Sequence, residues 1–108
     1  MEFHYGQGVY IEGQKRFEGE IVLSEHKLFL KDAQKQDIAP TFIPLEKIEK
    51  VKKAANTLEI HVRPNLYIQY VASFRGDKTK INELCKDIVQ GRLLKKRFLK
   101  NEWVEDPS

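Results

Sequence analysis

Residues 58–63 set Leu58, Ile60 and Val62 in strict alternation with Glu59, His61 and Arg63. A period of two sends alternate side chains to opposite faces of an extended strand, which is the pattern of a sheet with one face buried. Six other short segments have the same character: residues 8–12, 16–23, 27–31, 40–44, 48–53 and 67–74. Turn-forming residues separate them, among them Gly13-Gln14, Ser24-Glu25-His26, Asn56 and Pro64-Asn65. Short connections of this kind join antiparallel neighbours, so residues 57–74 are expected to form one hairpin and residues 8–31 a meander. Asp77 then stands where a helix cap is needed, and Ile81, Leu84, Cys85 and Ile88 recur on one helical face. Gly91 is the expected stop for that helix. The fold class predicted is therefore mainly β (α+β), seven antiparallel strands in a barrel or sandwich capped by one C-terminal α-helix.

Residues 45–55 carry two patterns at once. Leu45, Ile48 and Val51 recur every three residues after Pro44, as on a helix. Glu49, Val51 and Lys53 alternate with Lys50 and Lys52, as on a strand. Because the flanking segments are all strand-like, a twisted strand over residues 48–53 is the reading adopted. Residues 32–39 are polar and read as a turn, with the fourth strand confined to residues 40–44. Gly6-Gln7-Gly8 reads as the start of the first strand.

The chain has 108 residues, of which 41% are hydrophobic, enough for one compact domain with a real core. Its apolar runs fall far short of the roughly 18 residues a membrane helix needs. The opening Met1-Glu2-Phe3-His4 lacks a basic region followed by an apolar stretch, so a cytoplasmic location is expected. Cys85 is the single cysteine and sits in the apolar helical stripe, where it reads as a small buried hydrophobe. Residues 1–91 hold 14 Lys and Arg against 13 Asp and Glu, and residues 92–108 hold 5 against 3. The expected organisation is thus a nearly neutral domain over 1–91 with a basic, apolar extension over 92–108 that ends in Glu102, Glu105 and Asp106.

The order of seven strands and a closing helix resembles the pleckstrin-homology superfold. The run Phe17-Glu18-Gly19-Glu20-Ile21-Val22-Leu23-Ser24, then Lys27-Leu28-Phe29-Leu30 and Ile43-Pro44-Leu45-Glu46-Lys47-Ile48, is similar to its GRAM-type branch. That resemblance covers about residues 8–91. It implies a module that recognises phosphoinositide head groups, peptides or other proteins, and fold does not choose among these.

In such a fold the loops after strands one, three and six share one open end, which would bring Lys15, Arg16, Lys31, Lys35 and Arg63 toward one mouth. Converging cations can hold an anionic head group by charge-assisted hydrogen bonds. The lipid-binding pattern of the superfold, a basic-x-arginine pair on the second strand, is incomplete here, because Arg16 is followed by Phe17 and Glu18. Asp32 and Asp37 would also offset Lys35. A second docking candidate is the extension, where Leu94, Phe98 and Trp103 interleave with Lys95, Lys96, Arg97 and Lys100. Such a segment suits burial against the domain, a protein groove or an anionic membrane.

Catalysis has no footing in the sequence. His4, His26 and His61 are scattered without a metal-ligand spacing, the glycine pair lacks the lysine of a phosphate loop, and Ser24 and Ser73 lack a nucleophile setting. No enzyme activity, cofactor or metal is expected. The sequence reading is an adaptor for a protein partner, with anionic lipid as the competing ligand and weak nucleic-acid binding as the alternative of another class. Mixed charge along the body argues against nucleic acid, and self-association through an open strand edge remains compatible with the pattern.

Overall fold

The computed structural model describes residues 1–95 and 104–105, with side chains described through residue 91. Seven strands precede one helix: β1 (Phe3–Glu12), β2 (Lys15–Leu23), β3 (Lys27–Lys31), β4 (Asp37–Pro44), β5 (Ile48–Ala54), β6 (Thr57–Asn65), β7 (Ile68–Gly76) and α1 (Lys78–Lys95). A two-residue strand, β8 (Val104–Glu105), follows. The sheet order is β4-β3-β2-β1-β7-β6-β5-β8. Every pair from β4 through β5 in that order is antiparallel, and β8 adds to β5 in parallel.

The expected alternation is kept where the strands are regular. Leu58, Ile60 and Val62 of β6 are fully buried, and Ala72 and Phe74 of β7 face the same interior. With Ile21, Leu28, Leu30, Ile43, Ile48 and Val51 they form one cluster that draws on all seven long strands. A single sheet can supply one core only by curling over on itself. Tyr10 stacks edge-on against Phe74, with ring centroids 5.2 Å apart.

The helix closes the open side. Asp77 caps it as expected, its carboxylate accepting from the Lys80 N–H at 3.1 Å. Ile81, Leu84, Cys85 and Ile88 are buried in the core cluster. The Tyr5 hydroxyl donates to Asp87 at 2.6 Å, which ties the start of β1 to the exposed side of α1. Gly91 does not stop the helix, which continues to Lys95. A glycine in a helix interior costs only about 1 kcal/mol, too little to end a helix that its neighbours continue.

Three strand boundaries differ from the sequence reading, and the two-patterned segment 45–55 resolves with the strand where that reading put it. β1 begins five residues early, and Gly6-Gln7-Gly8 lies inside it at a bulge between His4 and Gln7. The bulge lets both Tyr5 and Tyr10 point inward although they are an odd number of residues apart, and Gly6 meets its left-handed backbone at φ +81°. β4 begins at Asp37, inside the stretch read as a turn. There the Thr41 hydroxyl accepts from the Leu30 N–H at 2.9 Å and donates to the Ile38 carbonyl at 2.7 Å, patching a register shift against β3. Residues 45–55 divide between the two patterns: Leu45–Lys47 is one 3-10 turn and Ile48–Ala54 is the strand. The turn expected at Pro64-Asn65 lies two residues later, at Leu66-Tyr67, since Asn65 closes β6 and its side chain accepts from the Tyr67 and Ile68 N–H groups at 2.8 and 3.0 Å.

A small second cluster lies on the outer face of β2, β3 and β4. Val22 and Phe29 are register partners, are fully buried, and stand apart from the main core. Phe42 meets Phe29 edge-on at 5.3 Å, and Lys27 lies over both rings. The lysine stem and its ammonium cover the aromatic faces while Asp37 holds the charge at 3.7 Å.

Candidate functional site at the open end of the barrel

Strand register gathers three turns at one end. Glu12 pairs with Lys15 beside the Gly13-Gln14 turn, and Lys31 pairs with Asp37 beside the 32–36 turn. β7 runs antiparallel to β1 with Ile11 opposite Ser73, so the start of β7 and the Leu66-Tyr67 turn project past the same end. The loops after strands one, three and six therefore share an end.

The cations expected there fall into two groups. Arg63 donates through Nε to Glu49 Oε2 at 2.6 Å, and Gln69 donates to the other carboxylate oxygen at 2.9 Å. Those bonds, Arg63 first, hold the Glu49 carboxyl below its ordinary range. Because Val62 points inward, Arg63 sits on the outer face of β6. Lys31 reaches Glu2 at 3.1 Å and Asp37 at 3.8 Å, and Arg16 lies 3.7 Å from Glu18. Lys15 and Lys35 are exposed and make no ion pair among the described residues. Lys35 has φ +66° in a turn whose Asp32 side chain accepts from the Gln34 and Gln36 N–H groups at 2.9 Å.

A carboxylate stands inside the opening. Glu12 shares the inward face of β1 with Tyr10 and accepts its hydroxyl proton at 2.6 Å. Burial first, then this bond, pushes the Tyr10 hydroxyl far above its usual range. Burial and the nearby Glu12 charge also raise Tyr70. An anion entering this end would approach Glu12 directly, with Glu18 and Asp37 occupied by the neighbouring cations.

The tip of the β6–β7 hairpin is apolar and wet: Leu66 is 80% exposed, Tyr67 93% and Ile68 52%. Val71 is also exposed, on the outer face of β7. The alternation of residues 67–74 assigns Tyr67 and Ile68 to a strand and conceals their exposure. Three large apolar residues directly after Asn65 break the polar character of a turn, and that was the signal present in the sequence. Of the C-terminal docking candidates, Leu94 belongs to α1, while Phe98 and Trp103 lie outside the described residues.

Among the described residues no cluster of His, Cys, Asp and Glu could hold a metal ion. Among them, too, no helix is long and apolar enough to cross a membrane.

Neither a family model nor a curated protein sequence matches the chain. Solved structures do: the N-terminal PH domain of human ARAP2, a solution structure, superposes with a TM-score of 0.65 over 94% of this chain and 87% of that one. The chain has a pleckstrin-homology-like fold. Sequence identity over the match is 14%, so the likeness carries the architecture, and the residues at the open end must be read on their own chemistry.

Proposed function

We propose that the chain is a non-catalytic, PH-like interaction module that binds a protein partner. The observation that carries this reading is the exposed tip, in which Leu66, Tyr67 and Ile68 stand in water at the end of a rigid hairpin. An aromatic flanked by two aliphatics is the composition of an interface core. In this reading residues 1–91 are the module and 92–108 an extension in which Leu94, Phe98 and Trp103 add to the docking surface. Its GRAM-like character is supported by Ile43-Pro44-Leu45, which carries the chain from β4 into the 3-10 turn. The setting would be the cytoplasm.

An anionic membrane surface is the second reading, favoured by Lys15 and Lys35 at the same end as the tip. Insertion of Tyr67 with its two aliphatic neighbours would then accompany lipid contact. The acids at that end, Glu12 inside the opening above all, weigh against an enclosed head group.

A Leu66→Ser, Tyr67→Ser, Ile68→Ser variant separates the tip from the fold, because all three side chains are exposed. Partner capture by crosslinking should fall steeply in the variant while its thermal unfolding stays close to native. Equal capture by both chains would remove the tip from the interface.

A further inference from the structure

The two outer strands of the long-stranded sheet are built differently. β4 carries Pro40 and Pro44, which lack N–H donors and blunt its edge against further pairing. β5 has no proline over Ile48–Ala54, and it is the strand to which another is added: Val51 pairs with Val104 and Lys52 with Glu105, in parallel. The pairing covers two positions of a seven-residue strand. A parallel pair this short is weakly held and can be exchanged for a longer one.

Charge runs in opposite senses on the two partners. Residues 47–54 contain Lys47, Lys50 and Lys52, with Lys53 buried, against the single carboxylate Glu49, which is engaged with Arg63. The added strand comes from the sequence Glu102-Trp103-Val104-Glu105-Asp106, which has three carboxylates and no cation. Backbone pairing supplies affinity in strand addition, and flanking side chains supply the choice of sequence.

From the difference between the edges, the added strand and this complementarity, we propose that the β5 edge is a strand-addition site for a short, acidic, extended segment of a protein partner. The chain's own Val104–Glu105 segment is the internal occupant that such a partner displaces. The proposal rests on the interaction-module reading and narrows its partner to a stated chemistry. Occupancy by the internal segment lowers the apparent affinity for an outside one in proportion to the time the edge is covered.

The test uses the full chain and a fluorescein-labelled peptide with the sequence of residues 101–107, read by fluorescence anisotropy at physiological salt. Val104→Pro disfavours the internal strand, and Glu105→Lys loosens it by charge while leaving the backbone intact. Both variants should bind the probe about tenfold more tightly than the native chain if the internal segment covers the edge about nine-tenths of the time. Lys52→Glu in either background should reverse the gain, and a probe with its acids replaced by lysine should not bind. Equal binding by native and loosened chains, or none by any of them, overturns the proposal. So does a native dimer in sedimentation velocity that Val104→Pro abolishes, since the edge would then serve a second copy. If a partner is captured equally by native, Val104→Pro and Lys52→Glu chains, the edge fails while the module reading stands.

Discussion

Tyr10 donates its hydroxyl proton to Glu12 at 2.6 Å, two residues along the same strand and inside the open end of the barrel. The bond orders a carboxylate where a head-group-binding module would need a cation. Tyr10 also packs against Phe74 and Phe17, so the acid is anchored to the core rather than left on a loop.

That anchoring predicts an alkaline signature. Tyr5, Tyr10 and Tyr70 are all raised in the folded state, by burial first and by neighbouring carboxylates next. A raised folded value means the stabilisation is complete below the unfolded tyrosine range, near pH 10, and is lost as pH climbs through the folded values. Denaturant midpoints should therefore fall progressively above about pH 10. Glu12→Gln should bring the ionisation of Tyr10 and Tyr70 down toward the ordinary range, followed by ring carbon shifts in NMR.

The Tyr5 to Asp87 bond joins β1 to the closing helix. Tyr5→Phe keeps the buried ring and removes only the donor, so the expected loss is about 1 kcal/mol. Asp87→Ala should cost a similar amount, and the double variant little more than either single one. Urea unfolding of the four chains measures the coupling.

Gly19 is fixed by the approach of the next strand. A Cβ built there would lie 2.3 Å from the Lys31 carbonyl oxygen, and that neighbour is backbone. Gly19→Ala should force β2 and β3 apart and destabilise the fold by about 1–3 kcal/mol. The register pairs from Glu20 with Lys31 onward should lose protection in hydrogen exchange.

Arg63 offers the opposite case. Its pair with Glu49 is short, but both side chains are more than a third exposed, at 38% and 40%. Solvent screening leaves such a pair about 0.2–1 kcal/mol at most. The Glu49 carboxyl is lowered by Arg63, so this small stabilisation is present above the unfolded carboxylate range and disappears as pH falls through the folded value. Arg63→Ala should flatten the acid limb of stability slightly, as measured by thermal melts between about pH 2 and 6.

The regular strands were legible because burial follows alternation directly: Leu58, Ile60 and Val62 needed only a period of two. Irregular backbone was not. The bulge at Gly6 inserts a residue and flips the parity of β1, so Tyr5 and the strand's early start carry no two-residue signal. Residues 45–55 mixed both periods because a helical turn and a strand share them. At the site, the position of the three loops followed from strand order, whereas the partners of Arg63 and Lys31 arise from register between distant strands. Glu49 lies fourteen positions from Arg63, and nothing local marks them as neighbours. The exposed tip was hidden for another reason: Tyr67 and Ile68 satisfy a strand pattern, yet they lie at the end of the hairpin with their side chains exposed.

The most direct test is binding to liposomes with and without phosphoinositides, comparing the native chain with a Lys15→Ala, Arg16→Ala, Lys35→Ala variant at physiological salt. A protein-binding module with a carboxylate in its opening should show no head-group dependence, and the two chains should sediment with the vesicles to the same extent. Phosphoinositide-dependent binding by the native chain, lost in the variant, would contradict the account and make the loops at this end a lipid site.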